Sequence, residues 1–429
     1  MQNPLSIYQG KSIAILGLGR SGDSAARALH QADAKVLAWD DHKIPKDTPY
    51  PIVNLHDRAF ARIDYLMLSP GIPPLTNPIA LKAKASSVPL TCDIAFFLKA
   101  NPKPKVLGIT GTNGKSTTTA LCYHLLKNMG VTTAMGGNIG TPIMTLPSLD
   151  KSGVYVLELS SYQLDLMHDP CLDSAVLLNI TPDHLDRYGS METYISSKAR
   201  IFTLNQGHSF IMIDDAHNRA LAEKFPNLTR LSYKKKLDVD FGMLRGEHNR
   251  QNAIAALSLC CSLGLNANQL AVHFSSFKGL AHRQELIAKH NNILFINDSK
   301  ATNAQAALPA LRTYKNIHWI VGGVSKEEGI TPLLNDLQNV TYAYIIGQET
   351  AEIEAQLLPK VTLATPCTLE SALNLAWKNV QKEQDECTVL LSPACASFDQ
   401  FKNFEERGDT FRKLVSDIIT HESSSIRLP

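Results

Sequence analysis

No run of apolar residues in this chain approaches the roughly 18 that a bilayer span requires, so no membrane-crossing helix is expected. Charge is sparse and balanced: Asp, Glu, Lys and Arg make up 19% of the residues and leave a net charge of only +2. Lys234–Lys236 is the one run of three like charges, too little for the basic stripe that marks nucleic-acid binders. The eight cysteines include no C-x-x-C pair and no Cys/His spacing suited to zinc. No low-complexity tract interrupts the chain, and Met1–Ser6 lacks the basic segment and apolar core of a secretory signal. Reduced thiols in the cytoplasm are therefore the expectation. What remains is an ordinary globular composition, 44% hydrophobic over 429 residues, enough for about two to four domains.

The most informative stretch runs from Lys105 to Thr119. An apolar run ending at Ile109 reads as a buried strand, Gly111–Gly114 as a turn, and Ser116 onward as a helix. That order presents backbone N–H groups and a helix N-terminus to a phosphate. Lys115 is placed to reach β/γ-phosphates and the Ser116 hydroxyl to hold Mg²⁺. The strict P-loop pattern needs a glycine at the position of Ile109, and Gly108 sits one residue early.

Nearer the N-terminus, Ser12–Leu16, Asp23–His30 and Lys35–Trp39 read as a βαβ unit. Gly17, Gly19 and Gly22 satisfy G-x-G-x-x-G, and Asp40 lies about twenty residues on, as a dinucleotide fold requires. Alone this reads as an NAD-dependent oxidoreductase, although the same loop can hold any diphosphate. A strand at Ile63–Leu68 ends in Ser69-Pro-Gly71. Asn101–Pro104 reads as a linker to the nucleotide domain.

Beyond the phosphate loop, Met135–Gly140 reads as a glycine turn and Val154–Leu159 as a buried strand carrying Glu158. A carboxylate there is costly unless paired, which points to a cation or a salt bridge. The strand Ser174–Ile180 leads to His184, a candidate ligand or proton shuttle. Met191–Phe202 reads as a helix bearing Lys198, Ser209–Ile213 as a strand, and Glu247–Asn252 opens another helix. After a hinge at Phe277–Arg283 come strands at Ile293–Asn297, Ile317–Val321, Ala343–Ile346 and Thr388–Leu391. Their alternation with helices implies a parallel sheet, and the polar residues at their carboxyl ends imply a third ligand site.

Taken together, Gly111–Ser116, Gly136–Gly140, Leu157–Ser161, Asp183–Asp186, Glu247–Asn249, His282-Arg283, Asn297–Asn303 and Ser392–Phe404 resemble the Mur ligases of peptidoglycan synthesis. The segment Ser392-Pro-Ala-Cys-Ala-Ser397, with the first glycine loop, is most like the D-glutamate-adding members. That family shares the one-residue shift of the phosphate loop. The resemblance implies three α/β domains: a Rossmann-like N-terminal domain at 1–92, a central P-loop ATPase-like domain with a mostly parallel sheet at 93–279, and a C-terminal Rossmann-like domain at 280–429. It implies that ATP activates the carboxylate of UDP-MurNAc-L-Ala as an acyl phosphate, which the amine of D-glutamate then attacks. It also implies domain closure on ligands.

Carried over by position, the resemblance places ATP on Gly111, Thr112, Asn113, Gly114, Lys115, Ser116 and Thr117, with Asn252, Arg283, Asp298 and Lys300 as an outer grip. Lys115, Glu158, His184 and Lys198 form the catalytic set. Two Mg²⁺ sites are implied, with ligands Ser116, Glu158, His184 and a carbamylated Lys198, since a bare ammonium would repel the metal. Gly19, Arg20, Ser21, Asp40, Asp41, Asn138, Ser160, Gln163 and His184 would face the UDP substrate. Thr302, Lys326, Ser397 and Phe404 would face D-glutamate. Asp41-His42 departs from a hydroxyl and an arginine found in some members. A folylpolyglutamate-type ligase, another Mur-type ligase and a non-enzymatic ATP-binding regulator stand as alternatives. The partners are these small molecules, with no nucleic acid or membrane, and a monomer is the default.

Overall fold

A computed structural model of the chain describes residues 3–234, 246–325, 329–348, 350–358 and 360–425. They divide into two compact units, one of residues 3–234 and 249–275, the other of residues 246–248 and the described residues from 276 onward. No helix among the described residues is long and apolar enough to cross a membrane.

The first unit holds two sheets. In one, β1 (Ser12–Leu16), β2 (Lys35–Trp39), β3 (Tyr65–Leu68) and β4 (Leu90–Thr91) lie in the order β2-β1-β3-β4, all parallel. In the other, β5 (Lys105–Thr110), β6 (Thr133–Gly137), β7 (Val154–Glu158), β8 (Leu172–Leu177), β9 (Asn205–Met212) and β10 (Thr229–Leu231) lie in the order β10-β9-β8-β5-β7-β6, also all parallel. Strands buried on both faces read as continuous apolar runs, which is why Ile13–Leu16 and Val154–Leu157 were visible in the sequence. One hydrophobic core runs from Ile13 and Leu66 of the first sheet to Tyr155 and Leu177 of the second. Both sheets lie in the first unit.

In the second unit β11 (Glu285–His290), β12 (Ile293–Asn297), β13 (Ile317–Gly322), β14 (Val340–Ile346), β15 (Thr362–Cys367) and β16 (Cys387–Leu391) lie in the order β11-β12-β16-β13-β14-β15. The edge strand β11 is antiparallel to β12, and the other pairs are parallel. Separate apolar clusters cover its two faces, one around Trp319 and Leu311, the other around Phe295 and Phe411.

Each sheet changes direction near its middle, at β1/β3, at β5 and at β16. Such reversals open a crevice outside the strands' carboxyl ends. The loops there are 17–22 and 69–72 in the first sheet, and 111–114, 159–160 and 178–184 in the second. In the third they are 298–302 and 392–397. Met135–Gly137, expected as part of a turn, instead belongs to the edge strand β6. The expected strand end Leu178–Ile180 lies beyond β8.

Candidate active site

The phosphate loop is built as its residue types demand. Gly114 has φ +84°, and a Cβ there would sit 2.2 Å from Asn252 Oδ1. Both the conformation and the space therefore require glycine. The helix Lys115–Asn128 starts immediately afterwards. Asn179, at the end of the segment after β8, clamps the loop from the other side. Its Oδ1 accepts from Asn113 N at 2.8 Å, its Nδ2 donates to Asn113 O at 3.1 Å, and its carbonyl accepts from Thr112 N at 2.8 Å. Gln251 supports it, accepting from Asn179 Nδ2 at 3.1 Å. Neither residue stood out in the sequence, because a lone Asn or Gln beside an apolar run carries no spacing signal.

Two lysines meet at one carbonyl. Lys115 Nζ donates to Gly111 O at 2.9 Å and Thr112 O at 2.8 Å, and Lys198 Nζ donates to the same Gly111 O at 2.8 Å. Lys198 is 2% exposed, although it sits on the helix Met191–Thr203 where sequence position alone suggests a solvated face. Burial first, and then the Lys115 ammonium, hold it well below the usual lysine range. Its Nζ also lies 4.7 Å from the centre of the Tyr194 ring.

Glu158, 2% exposed at the end of β7, accepts from Asn138 Nδ2 at 3.0 Å through Oε1, while its Oε2 is buried without a hydrogen-bond partner. Its charge is felt at Lys198, where it opposes the depression. Gly137, with φ +93°, lets β6 approach so closely that a Cβ would lie 2.2 Å from Glu158 O. Asn138, assigned to the UDP substrate from the sequence, thus has its amide on Glu158. Ser160 and Gln163 form a capping box on the short helix Ser161–Leu164, with Gln163 Oε1 accepting from Ser160 N at 3.0 Å.

His184 lies in the loop after β8, in the left-handed region at φ +54°. Its ring is 5.0 Å from that of Tyr162 and 6.2 Å from that of Tyr194. Burial lowers its pKa; Asp183 raises it in part, but Lys198 and Lys115 lower it again, so the net shift favours the neutral imidazole.

In the first sheet the glycine motif does close packing as well as turning. A Cβ on Gly17 would lie 2.8 Å from Ser69 Cβ, and one on Gly22 would lie 1.8 Å from Gly17 O. Gly19 faces open space, and the Arg20 guanidinium donates to the Gly140 carbonyl after β6. Asp40 accepts from Leu18 N at 2.6 Å, His42 N at 2.8 Å and Lys43 N at 3.0 Å. Burial would raise its pKa, but these bonds outweigh it and leave the carboxyl below its ordinary range. Asp41 accepts from Trp39 Nε1 at 2.7 Å and pairs with His56 Nε2 at 2.8 Å. Both acids that sequence reasoning aimed at a nucleoside are already engaged by the chain itself, Asp40 by the first glycine loop through Leu18 N and Asp41 by Trp39 and His56. Ser21 hydrogen-bonds the buried Asp93, whose carboxyl is pushed up to about 6 by burial.

In the second unit Asp298, 3% exposed, accepts from Ser392 Oγ at 2.8 Å and Gln284 N at 3.1 Å, and burial pushes its pKa up to about 7. Arg283 lowers it in part, and Arg283 Nε is buried without a hydrogen-bond partner. Lys300 Nζ lies 5.4 Å from the centre of the Phe404 ring. Thr302 N donates to Lys300 O, and Ser397 is buried. Lys326 lies outside the described residues. Arg407, which sequence reasoning missed, binds these loops together. Its Nε donates to Ser299 Oγ at 3.0 Å, and its Nη2 to Ser299 O at 2.9 Å and Cys395 O at 3.1 Å.

With this geometry in place, comparison with known proteins is decisive. The chain is 41% identical over 449 residues to a UDP-N-acetylmuramoylalanine--D-glutamate ligase of Paramagnetospirillum magneticum, covering 95% of this chain and 97% of the relative. The chain belongs to the Mur ligase family. The Mur ligase middle domain matches residues 109–241, which begin at the phosphate loop. A UDP-N-acetylmuramoylalanine--D-glutamate ligase of Rhodospirillum rubrum is 42% identical, with 97% of this chain and 96% of the relative covered. Two solved Mur ligases of Thermotoga maritima share the fold. UDP-N-acetylmuramate-alanine ligase MurC has a TM-score of 0.58 at 18% identity, covering 96% of this chain and 99% of that one. MurF in complex with ADP has a TM-score of 0.57 at 17% identity, covering 97% and 100%.

Proposed function

We propose that this chain is the ADP-forming ligase that joins D-glutamate to UDP-N-acetylmuramoyl-L-alanine in cytoplasmic peptidoglycan precursor synthesis. Identity of about 40% over nearly the full length to ligases of that name supports the substrates. The site feature that carries the chemistry is the pairing of Lys115 and Lys198 at Gly111 O with the unpartnered Oε2 of Glu158. A carboxylate is a poor electrophile, and its oxygen must first take the γ-phosphoryl group of ATP, releasing ADP. The amine nitrogen of D-glutamate then attacks the acyl carbon, loses a proton, and expels phosphate. This brings several anions together, so the protein's work is positioning and charge stabilisation.

Lys115 and the N-terminus of the following helix take the phosphates. Ser116 and Glu158 Oε2 fit a Mg²⁺, because a buried carboxylate oxygen without a partner calls for a cation. Among the described residues no group of three or more His, Cys, Asp or Glu could hold a metal by itself, consistent with an ion carried in on phosphate oxygens. When bound, Mg²⁺ neutralises phosphate charge. Neutral His184 suits a second ion. Lys198 suits carbamylation, because burial and Lys115 favour the uncharged amine that adds CO₂. Arg283, Asp298 and Lys300 would grip ATP, and Thr302, Lys326, Ser397 and Phe404 would take D-glutamate. Gly19, Arg20, Ser21, Asp40, Asp41, Asn138, Ser160 and Gln163 would face the UDP substrate. Three domains, 1–92, 93–279 and 280–429, are proposed with one sheet each, working as a monomer.

Isotope transfer tests the reading. With ¹⁸O in the alanyl carboxylate, one label per turnover should appear in inorganic phosphate. Unlabelled phosphate would exclude the acyl-phosphate route. Omission of D-glutamate, or its replacement by other amino acids, tests the amine.

A further inference from the structure

We propose that Arg187 is a positioning residue for the ligation, a bolt that fixes His184 to the turn after β3 and so links the first glycine loop to the reaction centre. The proposal deepens the ligase reading and rests on it. His184 occupies the left-handed region at φ +54°, a conformation that a non-glycine residue keeps only when its surroundings hold it there. The chain then enters a helix of four residues, Leu185–Tyr188, far too short to be stable by itself. Arg187 N and Tyr188 N both donate to His184 O, each at 3.1 Å, so whatever holds Arg187 also holds His184.

The guanidinium contacts three consecutive backbone carbonyls. Nη1 donates to Pro70 O at 3.0 Å and Gly71 O at 3.3 Å, and Nη2 donates to Ile72 O at 3.2 Å. The group also lies over Tyr162, 3.7 Å from the ring centre, and that ring is 5.0 Å from the His184 ring. Arg187 and Tyr162 therefore fix His184 from two directions. At the far end, Ser69 Oγ donates to Gly17 O at 2.8 Å, and Ile72 N closes the turn on Ser69 O at 2.9 Å. A continuous path of hydrogen bonds runs from Gly17 through Ser69 and the 70–72 carbonyls to Arg187 and His184. The Gly17–Gly22 loop is where the UDP diphosphate would sit. Its occupant and the imidazole that faces the reacting carboxylate would thus be set in mutual register. Lysine cannot substitute, since one ammonium neither spans three carbonyls nor stacks on a ring.

The test is steady-state kinetics of the full-length enzyme with ATP, D-glutamate and UDP-MurNAc-L-Ala. Arg187→Ala should lower kcat about a hundredfold, the scale expected when a reacting group is misplaced by about 1 Å. KM for UDP-MurNAc-L-Ala should rise, while KM for ATP stays within about twofold, because Arg187 makes no contact with the phosphate loop. Arg187→Lys should not rescue. A merely structural role would lower the melting temperature and leave kcat and both KM values of the folded enzyme at wild-type levels, and that result would overturn the proposal. Full activity in Arg187→Lys would overturn it too. Should Arg187→Ala fail to fold, Tyr162→Leu removes the stacking partner and should show the same split more weakly. An unchanged kcat in folded Tyr162→Leu would count equally against the bolt. Wild-type turnover in the same assay, with each substrate omitted in turn, tests the ligase reading separately.

Discussion

At the scale of single residues, the site is defined by charges kept where water cannot screen them. Lys198→Ala should reduce kcat by at least about a hundredfold, the usual loss when one charge-stabilising group is removed. Phosphate-release assays with added short-chain carboxylate should show partial recovery, as an anionic oxygen returns to the vacated space; no response to the acid would argue against a carbamate there. Asp298 gives a pH test with a definite sign. The unfolded chain ionises this carboxyl near 3.8 and the folded chain near 7, so between those values the folded state holds the extra proton. Its contribution therefore makes the protein less stable as pH rises through that window, and level above it. Asp298→Asn should abolish that fall, and urea midpoints of both proteins at the two ends of the window measure it. Equal slopes in both proteins would mean that Asp298 titrates normally. Of these residues, Glu158 was legible as an acid ending an apolar strand, and Lys115 from its place after a glycine turn. Lys198 was not, because nothing in Met191–Phe202 distinguishes a buried lysine from an exposed one without the family resemblance.

At the scale of elements, the phosphate loop is held by its neighbours rather than by its own sequence. Gly114→Ala should raise KM for ATP by about tenfold or more, since it combines left-handed strain with a contact against Asn252. An unchanged KM for ATP in folded Gly114→Ala would show that neither the φ of +84° nor that contact costs anything. Asn179→Ala removes the clamp on Thr112 and Asn113 and should cost about 1–3 kcal/mol of stability by chemical denaturation, with a rise in KM for ATP. The strands with uninterrupted apolar runs, such as β1, β7, β12 and β16, were readable to within a residue or two. β6 was not, because Thr-Ala-Met-Gly-Gly has little strand character and its glycines serve the close approach to Glu158. β11 and β15, on sheet edges, carry mixed polar residues that periodicity alone assigns to loops.

At the scale of the whole molecule, the two compact units have different fasteners. Arg407, 1% exposed, joins the segment after β12 to the one after β16 entirely within the second unit. Arg407→Met should destabilise that unit by about 3 kcal/mol, the cost of losing charged donors from buried acceptors. Calorimetry should show one transition moving down while the other stays; a single transition moving as a whole would mean that the units unfold together. The division into sheets followed from strand–helix alternation, whereas the apolar core that the first two share, from Ile13 and Leu66 to Tyr155 and Leu177, is a matter of tertiary packing for which the sequence holds no marker. The contacts that Lys115 already makes have a further bearing on the enzyme at rest. Its Nζ is engaged by the Gly111 and Thr112 carbonyls, so part of the attraction it could exert on a passing anion is taken up by backbone dipoles. Orthophosphate must displace those contacts for little return, whereas the phosphate chain of a nucleotide engages Lys115 and the helix terminus together. Selection of the nucleotide over the small anions abundant in a cell follows from what the resting lysine already holds.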